Sequence, residues 1–412
     1  MKSKNLNFFP GGGRPVAPGR GMCYNSGENP GKGGIVMLLK KAWSAVRRWC
    51  GRADWWLIAL ALAVSLFGLV LIFSASRGLN NPNKFVIVQA AGLALGMIGF
   101  LILSVMEFER FPRAWLLIFV FNILFNLSLC VLGVADDTGN RSWIPLVGGI
   151  NVQPGEVGKL LFIFTLGSHI YALRDKLNAP LSILQLGAHM GVTAVAVYIF
   201  SSDLGVTLMY PLIFITMLFA AGVSLWWMGG ICLAGVGCLP ILWKFMGQGQ
   251  KDRILVVFDP SISPKRAWHA QQSTIAIGNG QLTGTGLTQG IRVQNGWVPG
   301  RQTDSIFAVC GEELGFIGCC ALLLLLTALV VRIFVDAART TNRMGALFCA
   351  GVGGMFMWQI LINVGMMLGI VPVIGLTLPL CSYGGTSMVT TFAALGLVCG
   401  ACMRQTPNWL RN

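Results

Sequence analysis

Asp304, Glu312 and Glu313 fall within ten residues, where a polar, glycine-punctuated stretch gives way to an apolar one. The chain of 412 residues holds only 15 Asp and Glu against 30 Lys and Arg, so three acids in one place need a reason. An ionisable group in hydrocarbon is costly and is kept where it moves a proton, lines a path or completes a buried polar network. Asp304 ends the run Gln302-Thr303-Asp304 and leads at once into Ser305-Ile306-Phe307-Ala308, at a boundary where a carboxylate can meet a polar substrate. Glu312 and Glu313 lie eight and nine residues further on, about 12 Å deeper at roughly 1.5 Å per helical residue. That is too far to share the proton of Asp304. Successive helix positions differ by about 100°, so one Glu falls nearer the Asp304 face and the other points away. Both read as interior hydrogen-bonding groups that hold a helix bundle.

Other polar residues gather on the same side. In Arg141 to Lys159, Gln153-Pro154 starts a helix, since Pro suits a first turn, and Glu156 stands where the helix dipole favours an acid. Lys159, three residues on, can pair with it. The cluster is either a cap with a local ion pair or an anion or sugar site built from Arg141 and Lys159. Ser202-Asp203 opens an apolar segment, which helix capping alone would explain. Gln271-Gln272-Ser273-Thr274 begins a glycine-rich run that lacks the Gly-Lys-Ser/Thr ending of a nucleotide cradle. Ser382-Tyr383-Gly384 forms a polar turn before the last apolar segment, and non-helical backbone at membrane depth is tolerated where it lines a cavity.

The elements that must position these residues follow from composition. Hydrophobic residues make up 55% of the chain and charged residues 11%, with a mean hydropathy of +0.70. Soluble domains carry about 25% charged residues, so the chain reads as an all-α polytopic membrane protein. Apolar segments at 55–76, 85–104, 114–133, 157–173, 181–200, 204–222, 225–246, 306–332, 346–367 and 386–403 give about ten transmembrane helices. Basic residues collect in alternate short loops, placing both termini inside. A large extracytoplasmic loop, 247–305, then separates helices 7 and 8. The net charge of +15 is explained by those inner loops and not by a nucleic-acid partner. The 12 cysteines mostly lie in apolar runs, Cys399-Gly-Ala-Cys402 has no second pair, and the three histidines are isolated, so neither a disulfide framework nor a metal site is expected.

Residues 1–36 are Gly- and Pro-rich and are read as a disordered or non-native extension, with Met37 a sensible start. Residues 37–54 form a basic cytoplasmic segment, 55–403 the membrane domain and 404–412 a cytoplasmic tail.

Gln271 to Gly318, the Arg141 to Lys159 cluster, Asn363-Val-Gly-Met-Met-Leu-Gly-Ile-Val-Pro and Leu378-Pro-Leu-Cys-Ser-Tyr-Gly-Gly-Thr-Ser together resemble the SEDS family (shape, elongation, division, sporulation) over about 45–405. RodA, FtsW and SpoVE are its members. The resemblance implies a ten-helix enzyme of the bacterial cytoplasmic membrane that polymerises lipid II, the undecaprenyl-pyrophosphate-linked disaccharide peptide, into glycan strands. It also implies a partner, a class B penicillin-binding transpeptidase. Asp304 matches the essential outer-loop Asp and would be the base that deprotonates the attacking sugar hydroxyl. One carboxylate suffices for a single inverting displacement, and apolar Ile306 and Phe307 would raise its pKa. Arg141 and Lys159 would meet the departing pyrophosphate, with Gln153, Glu156, Asp203, Gln272, Ser273, Ser382, Tyr383 and Gly384 as further substrate contacts. The residues call for no certain cofactor; a divalent cation, Mg or Mn, is an open addition with no ligand cluster of its own.

Departures from the family pattern are clear. The usual Pro-Glu-x-His-Thr-Asp is here Pro299-Gly300-Arg301-Gln302-Thr303-Asp304, and Gln-Pro-Ser-Glu is Gln153-Pro154-Gly155-Glu156. Ile275-Ala-Ile-Gly leans towards RodA, while Gly311-Glu-Glu leans towards FtsW or SpoVE. Two other readings stand beside the enzyme: a lipid II flippase, which would depend on Glu312 and Glu313 but not Asp304, and a non-catalytic scaffold for a transpeptidase.

Overall fold

In hydrocarbon a chain can satisfy its N–H and C=O groups only within itself, so long apolar runs become helices. The computed structural model describes residues 43–404 apart from 45, 80, 109–111, 135–140 and 146–150. The expectations for 1–36 and for the tail beyond 404 therefore lie outside the described residues. Residues 1–52 and 53–412 are separate units, and the described part of the first, from residue 43, is helical.

Among the described residues of the second unit, nine helices are long and apolar enough to cross a membrane. They are α1 (Trp55–Ser76), α2 (Pro82–Val105), α3 (Pro112–Leu132), α5 (Pro180–Ser201), α6 (Leu204–Ala221), α7 (Leu225–Phe245), α11 (Ile306–Arg339), α12 (Arg343–Met367) and α13 (Gly385–Met403). The tenth is α4 (Pro154–Ala172), a buried helix whose apolar character is diluted by Glu156 and Lys159. A two-residue hairpin precedes it, β1 (Ile144–Pro145) antiparallel to β2 (Asn151–Val152).

Two differences from the expected elements matter. First, α11 continues beyond 332 to Arg339, where Arg332 pairs with Asp336 one turn on at 3.3 Å and with Asp54 at 2.6 Å. Asp54 also caps α1 by accepting from the amides of Trp56 and Leu57. Second, the outer segment 247–305 is built, not irregular. It contains α8 (Gln248–Leu255), α9 (Pro264–Asn279) and the single turn α10 (Ile291–Gln294). The small buried residues Ala267, Ser273 and Ala276 let α9 lie close against α11.

Close packing inside the bundle relies on glycine, since lipid offers no hydrophobic drive between helices and approach distance decides their attraction. A side chain at Gly92 or Gly96 of α2 would press on Gly385 or Phe392 of α13, and one at Gly396 or Gly400 would meet the carbonyls of Phe100 or Ser104. α12 is buried over most of its length and contacts α4, α6, α11 and α13. α7 differs: none of its residues is buried, and Trp226 is 92% exposed.

Candidate active site

The outer segment and α11 are joined through a break in the helix. Gly315 takes a left-handed conformation (φ 67°) that interrupts the i to i−4 ladder. The groups this frees find partners in residues 281–286. The amides of Phe316 and Ile317 donate to the carbonyls of Gln281 and Leu282 at 2.8 and 3.1 Å, while the amides of Thr285 and Gly286 donate to the carbonyls of Glu312 and Glu313, each at 3.0 Å. The loop thus replaces the missing turn, as buried backbone requires. A side chain at Gly280 or Gly284 would collide with the main chain of Gly311 to Leu314.

The glutamates secure the same joint. Glu312 accepts from the amides of Arg292 and Val293, both at 2.9 Å, at the start of α10. Glu313, fully buried, accepts from Ser74 of α1 and from the Gln294 amide nitrogen at 2.9 Å. Arg301 is buried at the other end of α10, donating to the carbonyls of Val293 and Gln294.

Asp304 stands above this joint, half-buried, two residues before α11. Thr303 Oγ1 donates to its carboxylate at 2.8 Å, and the Asn363 side-chain amide of α12 donates to its carbonyl at 2.8 Å. Asn363 also donates to the Leu376 carbonyl at 2.6 Å, while its own Oδ1 has no partner among the described residues. Burial raises the Asp304 carboxyl above the usual carboxylate range, opposed by the Thr303 hydrogen bond and by the charges of Arg253 and His269. The Ser382–Gly384 turn is tied to the segment two residues before Asp304. Tyr383 N–H donates to the Gln302 carbonyl at 2.8 Å, and Gln89 of α2 grips the turn by donating to Ser382 O at 3.0 Å and accepting from Gly384 N at 3.1 Å. The Phe85 ring meets Tyr383 at 5.0 Å between centroids.

A second polar cluster lies on the other side of this connection. Asp203 accepts from Ser142 at 3.2 Å, from Gln153 at 3.4 Å and from Val206 N at 3.2 Å as the cap of α6. Burial raises its carboxyl, against the bonds from Val206 and Ser142. Lys159 is fully buried and pairs with Glu156 at 2.7 Å, whereas Arg141 is exposed. The stretch carrying Ile374 and Leu376 passes directly over Gly205, and Thr386 donates to Asn151 O at 2.5 Å. The two clusters are thereby tied by one stretch of chain. Gln272 and Ser273 are buried on α9, with the Arg292 guanidinium donating to Gln272.

Sequence reasoning missed Gln89 and Asn363 as members of the site, and the charge of His269 acting on Asp304. An amide inside an apolar run was the available signal for the first two, whereas the approach of His269 is purely tertiary. No group of three His, Cys, Asp or Glu is gathered for a metal ion among the described residues.

A family profile described as "Cell cycle protein" and covering FtsW, RodA and SpoVE matches residues 54–406. The chain belongs to this family. Within the FtsW/RodA/SpoVE family, it is 30% identical over 348 residues to the peptidoglycan glycosyltransferase MrdB of Escherichia coli K12, covering 83% of this chain and 91% of that one. It is 33% identical over 363 residues to a protein described as a probable peptidoglycan glycosyltransferase FtsW, from Alkalilimnicola ehrlichii, covering 84% and 88%. The fold superposes on a chain of a peptidoglycan synthase complex that coordinates polymerization and crosslinking, with a TM-score of 0.69, 27% identity and coverage of 86% and 99%. It also superposes on the rod shape determining protein RodA of Thermus thermophilus, with a TM-score of 0.64, 26% identity and coverage of 86% and 98%. The family places the chain as a multi-pass protein of the bacterial cytoplasmic membrane. MrdB and FtsW relatives match about equally, so identity does not separate the branches.

Proposed function

We propose that this chain is a peptidoglycan glycosyltransferase that polymerises lipid II at the outer face of the cytoplasmic membrane, with Asp304 as its base. The observation that carries this reading is the setting of Asp304: a half-buried carboxylate with a raised proton affinity, its carbonyl held by the Asn363 side chain at the mouth of the bundle. In the reaction, the sugar 4-hydroxyl of one substrate attacks the anomeric carbon of the other. Its proton passes to the Asp304 carboxylate as the new C–O bond forms. The bond to the diphosphate breaks with inversion, and its electron pair leaves with the lipid diphosphate.

The Ser382–Gly384 turn supplies polar groups near the base for orienting the sugar, while the fully buried Asn363 holds the Asp304 backbone. Arg141, at the surface, is suited to meeting the diphosphate, while the burial of Lys159 suits it to holding Glu156 in the neighbouring cluster. A Mg or Mn ion, if it takes part, would arrive on the diphosphate oxygens. The partner in this reading is a class B penicillin-binding transpeptidase, supported by the superposition on a synthase complex. The flippase reading is weakened because Glu312 and Glu313 both spend their carboxylates on the α10 joint. Polymerisation of purified lipid II by the wild type and by D304N, with and without the transpeptidase, is the deciding assay. Full activity of D304N would sink the assignment.

A further inference from the structure

Three histidines occur in the chain, and only His269 lies in the outer segment. It is carried by α9, whose buried face runs through Ala267, Gln272, Ser273 and Ala276 against α11. The register between the helices is set lower down, where a side chain at Gly311 would press on Ile277 and one at Gly280 would strike Gly311. From that shared contact, His269 lies eight residues back along α9 and Asp304 seven back from Gly311. At roughly 1.5 Å per helical residue the first is about 12 Å, and the second is about 8 Å to the start of α11 plus two turn residues, a similar height. Both side chains are half-buried at the outer surface, and each acts electrostatically on the other.

Resting on the glycosyltransferase reading, we propose that His269 is a positioning residue for Asp304: its imidazolium charge holds the neighbouring carboxylate ionised as the pH falls. Burial of Asp304 alone would protonate it too readily and remove the base. A fixed cation would oppose this at every pH, whereas a histidine gains its charge as acid is added, just as the carboxylate comes to need it. The surrounding charges agree with a restrained histidine. Burial, then Lys265, lower its proton affinity, Asp304 raises it, and Arg266 lowers it again. Arg253 of α8 acts on Asp304 as a permanent cation, and Arg292 of α10 is committed to Gln272 one turn below.

The test is the pH dependence of lipid II polymerisation by detergent-purified full-length protein, for wild type, H269Q and H269K. The acid limb of kcat for H269Q should move up by about one pH unit, an approximately tenfold loss of rate on the acid side, with the alkaline plateau within about twofold of wild type. In H269K the limb should return to the wild-type position or below it. An H269Q limb that coincides with wild type overturns the proposal. So does an equal loss at all pH values that H269K fails to recover, since a purely structural role gives that pattern. Absence of polymerisation by the wild type, or full activity of D304N, refutes the underlying reading instead and is distinguished by those two controls.

Discussion

A buried carboxylate that must act as a base faces opposing demands, because the burial that strengthens its pull on a proton also threatens to keep it protonated. Asp304 has the raised proton affinity that burial produces, so activity should fall with acid at a pH above the ordinary carboxylate range. D304N should lose at least about a hundredfold in kcat while remaining folded, as lipid II polymerisation and gel filtration would show. The neighbouring cluster carries a prediction of a different kind. K159M leaves Glu156 buried without its partner and should destabilise the protein by about 3–5 kcal/mol. E156Q together with K159M should recover most of that loss in a detergent thermal-unfolding measurement. Asp304 was legible beforehand because acids are so rare in this chain. His269 was not, since nothing along the sequence brings 269 to 304.

For the elements, the decisive unit is α11 with the loop that completes it. α4, diluted by Glu156 and Lys159, falls short in apolar length, but the other nine membrane helices could be read from it, to within a few residues at most ends. The helices of the outer segment could not. Glycines at 280, 284 and 286 look like breaks in isolation, and they are explained only by the carbonyls of Gly311 to Glu313 that they approach. G280A should therefore loosen α9 from α11, seen as faster amide exchange at residues 281–286 and 316–317, with polymerisation falling in parallel. E312A removes the acceptor of two amides and should cost about 1–3 kcal/mol. If it left stability and exchange untouched, the role of Glu312 in the joint would be wrong.

Across the whole molecule, α11 runs from just after Asp304 to the Asp54–Arg332–Asp336 group near its other end, so one helix links both membrane faces. Adding the class B transpeptidase to the purified chain should raise the polymerisation rate, and EDTA should lower it only if the diphosphate brings a metal ion. Membrane class and family were legible at this scale from composition and motifs. The branch was not, since motifs of both kinds are mixed in one chain. The loop-for-turn exchange at Gly315 also has a consequence for how this chain tolerates mutation. Because the joint is made largely by main-chain groups, with Thr285 Oγ1 also donating to the Glu312 carbonyl at 3.0 Å, the exposed side chains of Gln281 and Leu282 can drift with little penalty. Gly280, Gly284 and Gly315 cannot, and a saturation library selected for growth should return them as isolated blanks in an otherwise permissive stretch.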